Sequence, residues 1–190
     1  MQNLLLKDEL ISNLIQGKVV SFPTDTVPAL AVLPDHVNLI YSLKRRSFSK
    51  PLILMADCFE KFIPYIQGSD FERILWLRMS QKYWPGALTM VLPASDKLPD
   101  SMKAKTIGLR IPNHPEALTI LTQLGCLATT SANLSGKPPL EKMRDIASIF
   151  PTVSVLNYHH SLLSTGVPST VVKWMVDGWE VLRQGQIYLD

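Results

Sequence analysis

The chain has 190 residues, 46% of them hydrophobic and 18% charged. That apolar content can bury a full core and excludes global disorder, and the length suits one domain on the prior of roughly 100–200 residues. Nineteen Lys and Arg against sixteen Asp and Glu leave a net charge of +3, which permits an anionic partner and excludes a strongly basic tail as the main feature.

Leu6, Leu10 and Leu14, with Ile11 and Ile15, fall on one face of an amphipathic helix that Gly17 ends. Lys7, Asp8 and Glu9 interrupt this stretch before it could act as a signal-peptide core, so a cytoplasmic protein without a targeting segment is expected. Residues 18–22 read as a strand stopped by Pro23, and 27–33 as a second apolar run stopped by Pro34. Residues 36–46 read as a helix closing on Lys44, Arg45 and Arg46. Residues 51–55 form a fully apolar strand, expected to be covered on both faces. Residues 70–83 carry Phe71, Ile74, Leu75 and Met79 at helical spacing, with Asp70 as the expected N-cap. Strands are predicted over 87–92 and 106–111. Pro115, Glu116 and Gly125 mark the start and stop of a helix over 114–124 whose buried side is Ala117, Ile120, Leu121 and Leu124. A short strand is predicted over 152–157. Asp177-Gly178 between two β-rich runs predicts a tight type I′ hairpin.

Strands alternate with helices, yet at least one hairpin is present. The prediction is an α/β domain with a mixed, twisted sheet. No run approaches the ~18 apolar residues needed to span a bilayer. Cys58 and Cys126 lie far apart and form no C-x-x-C pair, so two buried thiols in a reducing compartment are expected.

Several catalytic signatures are missing. There is no glycine-rich phosphate loop of either common kind, no H-E-x-x-H and no G-x-S-x-G. The adjacent His159 and His160 read as part of a solvated loop, because neighbouring residues seldom face one metal. What remains is polar residues at strand ends. Thr24, Asp25 and Thr26 follow a strand directly and suit either a ligand site or a self-satisfied turn. Lys44, Arg45, Arg46 and Lys50 crowd four cations into seven residues, which suits phosphate oxygens or a solvated helix end. Arg110 sits in an otherwise apolar strand and needs an anionic partner, either a protein carboxylate or a ligand. The segment 127–136 leads from a strand into small hydroxyl and amide residues that suit close backbone approach to a ligand. Residues 166–170 and 183–185 flank the final hairpin.

Seven blocks occur in register: Pro-Thr-Asp-Thr-Val at 23–27, Lys-Arg-Arg with Lys-Pro-Leu at 44–52, Trp-Pro-Gly-Ala-Leu-Thr at 84–89, Arg-Ile-Pro-Asn-His at 110–114, Ser-Ala-Asn-Leu-Ser-Gly at 131–136, Pro-Ser-Thr-Val-Val at 168–172 and Leu-Arg-Gln-Gly at 182–185. In this the chain resembles the YrdC-like threonylcarbamoyl-adenylate synthase family over nearly its whole length. The resemblance implies a single YrdC-like domain over 1–190, with a concave, positively lined surface. It implies synthesis of threonylcarbamoyl-AMP from L-threonine, bicarbonate and ATP with release of pyrophosphate, for modification of an adenosine beside the anticodon of tRNA. By similarity Lys44, Arg46, Thr106, Ser131, Asn133 and Arg183 would hold ATP, with Mg²⁺ on its phosphates. Thr24, Arg110 and Ser169 would hold threonine or its carbamate, and Lys44, Arg46 and Arg110 would act as the catalytic cations. The implied partners are tRNA or double-stranded RNA and other tRNA-modification proteins, with no membrane. The sequence departs from the family pattern at Pro28-Ala29, where Tyr-Gly is usual, at Met55, where His is common, and at Arg45, where a small residue is common. These changes leave two alternatives: an RNA-binding paralogue without catalysis, and an adenylyltransferase acting on a different carbamoylated amine.

Overall fold

In the computed structural model, which describes residues 2–48, 50–158, 164–176 and 178–189, the apolar runs assemble into one mixed sheet of ten strands. In chain order these are β1 (Leu4–Leu5), β2 (Val20–Phe22), β3 (Ala29–Val32), β4 (Ile53–Met55), β5 (Leu88–Pro93), β6 (Thr106–Arg110), β7 (Leu127–Ser131), β8 (Ser154–Leu156), β9 (Thr170–Met175) and β10 (Gly178–Arg183). Across the sheet they run β1-β8-β2-β3-β7-β4-β6-β5-β9-β10. The pairs β1·β8, β2·β8, β4·β6 and β5·β9 are parallel and the others antiparallel. The helices are α1 (Lys7–Ile15), α2 (Asn38–Lys44), α3 (Asp70–Tyr83), α4 (Pro115–Leu124) and α5 (Met143–Ile149). This is the predicted α/β architecture. Among the described residues no helix is long and apolar enough to cross a membrane.

The two-residue period of the central strands divides their side chains between two environments. Leu54, Ile107, Leu109, Met90, Leu92 and Val172 belong to the buried core. Their neighbours Ile53, Met55, Thr106, Gly108, Arg110, Thr89, Val91, Val171 and Lys173 line an open cavity, Met55 from within the core's edge. On β4 the second face opens to the cavity at Ile53 while Met55 is buried in the core, so the expected cover on both faces holds only in part.

Several local expectations shift. In α1, Leu10, Ile11 and Leu14 are buried, but Leu6 and Ile15 are exposed. Leu6 stands just before the helix, where its N–H donates to Glu9 Oε2 at 3.1 Å. Ser69, not Asp70, caps α3: its hydroxyl accepts from Glu72 N at 3.3 Å while Glu72 Oε2 accepts from Ser69 N at 2.8 Å, a reciprocal capping box. The helix expected over 36–46 splits into a 3₁₀ turn, Pro34–His36, and α2, which stops where Arg45 turns left-handed at φ 50°. In the last hairpin Gly178 pairs with Met175, so Gly178 already belongs to β10. Residue 177 and the His159-His160 pair lie outside the described residues, so the expected turn type and solvated loop do too. Four elements have no counterpart in the sequence reading: β1, α5 and the 3₁₀ segments Phe59–Tyr65 and Asp100–Met102. Cys58 and Cys126 are free and half-buried rather than buried. Burial still pushes the Cys126 thiol up to about 12.

Candidate active site

The cavity holds about 560 Å³ and opens over the face of the sheet that carries the polar residues. Register explains its floor. Thr129, Ile53, Gly108, Val91 and Lys173 stand side by side on β7, β4, β6, β5 and β9. A second row pairs Met55 with Arg110, and a third pairs Thr89 with Val171 and Val171 with Arg183. At the centre only glycine fits at 108: a Cβ there would meet Ile53 Cγ2 at 2.7 Å.

Arg110 is 3% exposed. Its Nη2 bonds Asp25 Oδ1 at 2.6 Å, its Nη1 donates to Thr26 Oγ1 at 2.7 Å and its Nε to Gly86 O at 3.1 Å. The anion this strand Arg requires is thus a protein carboxylate, and Arg110 pins the 24–27 loop with its charge already paired. Thr24 is fully buried. Its hydroxyl donates to Val27 O at 2.7 Å and accepts from Thr26 N at 3.2 Å, the self-satisfied turn of the two readings. The segment after position 163 braces the same loop through Thr165 N to Asp25 O at 3.1 Å and Gly166 N to Thr26 O at 2.9 Å.

Lys44, at the end of α2, is 1% exposed and does not line the cavity. Its ammonium donates to Ser131 O, to Asn133 Oδ1 at 3.0 Å and to Thr130 Oγ1 at 3.2 Å, so all three N–H groups are used. Burial, with a smaller contribution from Arg46, pulls its pKa down to about 7. Asn133 in turn accepts from Ser131 Oγ at 2.6 Å and donates to the carbonyls of Leu134 and Lys137. Lys44 and Asn133 therefore hold the end of β7 in shape, and Ser131 is the member of that cluster that faces the cavity.

Arg46 and Arg183 stand in the wall differently. Arg46 donates from Nε to Lys50 O at 2.9 Å and from Nη2 to Pro51 O at 3.1 Å. Arg183 donates to Ser169 O from Nε at 3.1 Å and from Nη2 at 2.8 Å. Both guanidiniums are oriented by carbonyls, yet neither meets a carboxylate among the described residues, and neither Nη1 has a partner there. Ser169 bonds Thr89 across the hydroxyls at 2.8 Å. Gly185 makes this corner possible, because a Cβ there would overlap Pro168 O and Thr170 N. Thr170 Oγ1 then accepts from Gly185 N at 2.9 Å and Ile187 N at 3.1 Å, which fastens the segment after β10 against β9.

Of the nine expected site residues, the cavity wall includes Arg46, Thr106, Arg110, Ser131, Ser169 and Arg183, and leaves out Thr24, Lys44 and Asn133. The four-cation cluster divides: Lys44 is buried, Arg46 faces the cavity, and Arg45 and Lys50 are exposed. Of the four departures, Pro28, Ala29 and Met55 also line the wall and Arg45 does not. The wall further contains Thr26, Thr89, Thr129 and Val171, which lie inside the motif segments but were given no ligand by the resemblance, and Lys173, which lies outside every motif block. Counting by two from Arg110 and Thr106 reaches Gly108, and from Ser169 reaches Val171 and Lys173. No carboxylate is among the described lining residues, and no cluster of three or more His, Cys, Asp or Glu suited to a metal occurs among the described residues.

Comparison with known proteins agrees with this geometry. The Sua5/YciO/YrdC family model, described as telomere recombination, matches residues 12–185. A threonylcarbamoyl-AMP synthase of Vibrio parahaemolyticus is 34% identical over 140 residues, covering 70% of this chain and 74% of the relative. The synthase of Yersinia pestis is 33% identical over 164 residues, covering 83% and 85%. Among solved structures, Sua5 of P. abyssi complexed with L-threonine superposes with a TM-score of 0.84 at 28% identity; the match covers 94% of this chain and 54% of that protein, so this chain spans about half its length. E. coli YciO gives a TM-score of 0.80 at 22% identity, covering 94% and 88%, a likeness of fold. With the same blocks meeting around one cavity and a family match over most of its length, the chain belongs to the Sua5/YciO/YrdC family.

Proposed function

We propose that the chain is a threonylcarbamoyl-AMP synthase, joining L-threonine, bicarbonate and ATP and releasing pyrophosphate. The observation that carries this reading is the convergence of Arg46, Ser131, Thr106, Ser169 and Arg183 on one cavity with no carboxylate in its described wall. Such a wall suits two anions held together.

The chemistry asks little of a general base. The amine of threonine condenses with bicarbonate to a carbamate, with loss of water. A carbamate oxygen attacks the α-phosphate of ATP, the new P–O bond forms, and the bond to the β-phosphate breaks with the electron pair leaving on pyrophosphate. The attacking group is already an anion, so the protein's work is positioning and charge neutralisation. We assign Arg46 and Arg183 to the phosphates, since each presents a free Nη1, with Thr106 and Ser131 as neutral donors. Thr26, Ser169 and the Arg110-pinned loop form the threonine side, bounded by Pro28, Ala29 and Met55. Lys44, Asn133 and Thr24 act from behind the wall by holding its loops. Mg²⁺ enters with the nucleotide on its phosphate oxygens, as part of the substrate; hydroxyls and cations suit phosphate rather than a metal cage. We assign the product to tRNA modification, with RNA and other modification proteins as downstream partners, on the family resemblance. An ATP-consuming reaction and two free thiols fit the cytoplasm.

The test is pyrophosphate release by the purified protein with MgATP and bicarbonate, with and without threonine. Threonine-dependent release is expected. Release that depends instead on another amino acid would favour the altered-acceptor reading that Pro28, Ala29 and Met55 motivate. RNA binding without any amino-acid-dependent release would favour the non-catalytic paralogue.

A further inference from the structure

We propose that Lys173 is a third phosphate-contacting cation of this cavity, working with Arg183 on the polyphosphate of the nucleotide; this rests on the function proposed above. Lys173 lies on β9 two residues beyond Val171 and four beyond Ser169, and all three line the cavity. It closes the floor row that runs from Thr129 through Ile53, Gly108 and Val91. That row is otherwise apolar apart from Thr129, and a half-buried lysine on it needs a reason.

No group in the described cavity wall supplies one. Lys173 makes no ion pair or side-chain hydrogen bond among the described residues, and its cross-strand partner Glu180 is exposed and does not bridge to it. Arg110, the other cation on the floor, is neutralised by Asp25. Arg46, Lys173 and Arg183 are left as three cations in one concavity without a counter-charge in its described wall. Glu180, opposite Lys173, is exposed and outside the wall, so solvent screens its share, and an anion entering the cavity relieves the repulsion that remains.

Position selects the part of the ligand. A bulge between Val181 and Arg183 sets Arg183 opposite Val171, so Lys173, two residues along β9, is its diagonal neighbour. Diagonal pairs stand roughly 7–8 Å apart at the backbone, within reach of long side chains. A lysine and an arginine at that spacing bracket one extended anion, and both offer donors to phosphate oxygens. A carboxylate of threonine is too short to meet both. Lys173 therefore reads the polyphosphate of the nucleotide rather than the adenosine or the amino acid.

The test uses the full chain with Lys173→Met and Lys173→Arg. Binding of ATP, inorganic pyrophosphate and adenosine is measured by calorimetry, and KM for ATP and for threonine by pyrophosphate release. The methionine variant is expected to lose about 10-fold or more in affinity for ATP and pyrophosphate, as for a lost charged hydrogen bond. Adenosine affinity and KM for threonine stay unchanged, and the arginine variant recovers most of the loss. Equal ATP affinity in wild type and the methionine variant would overturn the inference while leaving the synthase reading intact. A loss of adenosine affinity of the same size would also overturn it, because the lysine would then serve the base. Wild-type protein that binds no ATP would overturn both.

Discussion

Two pairs of cations at this site do different work. Lys44 and Arg110 are buried and spend their donors on the protein: one closes the end of β7, the other pins the 24–27 loop to Asp25. Arg46 and Arg183 stand in the cavity wall, steered by backbone carbonyls and lacking a carboxylate partner among the described residues. The same residue types in neighbouring motifs thus divide into struts and ligand contacts, and burial decides which is which. Struts should fail as loss of stability, wall cations as loss of binding.

The largest expected effect is at Arg110. Arg110→Met leaves the half-buried Asp25 carboxylate without its partner and should lower the unfolding free energy by about 3 kcal/mol in urea titrations. Adding Asp25→Asn should recover part of that loss, a coupling that a merely steric role would not produce. Lys44→Met follows, with about 1–3 kcal/mol for the acceptors left unpaired. It also has a pH signature. The folded pKa of about 7 lies below the ordinary 10.5. Between these values the unfolded chain holds the extra proton, so the penalty of burying this charge is full below pH 7 and shrinks as pH rises toward 10.5. The stability difference between wild type and Lys44→Met should move in favour of the wild type over that range, and a flat difference would contradict the shifted pKa. Gly185→Ala is a smaller strut change: crowding against Pro168 and Thr170 should cost about 1–3 kcal/mol and weaken ATP binding by displacing Arg183, read by calorimetry beside a thermal melt.

The sheet and most of its strands were legible because β-branched and apolar runs stopped at prolines and glycines: Pro23, Pro34 and Gly125 each close an element where expected. The short α5 and the 3₁₀ segment at 59–65 carry no strong periodic signal, so tertiary packing rather than local pattern sets them. Six of the nine expected site residues do share the cavity, because the motifs end on strands whose alternate residues face it. Thr24, Lys44 and Asn133 were indistinguishable from wall residues by type alone; what separates them is that their side chains are turned to protein partners, and that depends on which loop folds over which. Lys173 escaped notice for the opposite reason. It lies beyond the last residue of its motif block, and the two-residue period reaches it only once β9 is known to floor the cavity.

The central claim is that the cavity between Arg46 and Arg183 holds the nucleotide. Titration of MgATP into wild type, Arg46→Ala and Arg183→Ala, each checked for unchanged thermal stability, tests it directly. Each variant should melt with the wild type and bind ATP about 10- to 100-fold more weakly, the range of one or two lost charged hydrogen bonds. Wild-type affinity in both variants would contradict the account.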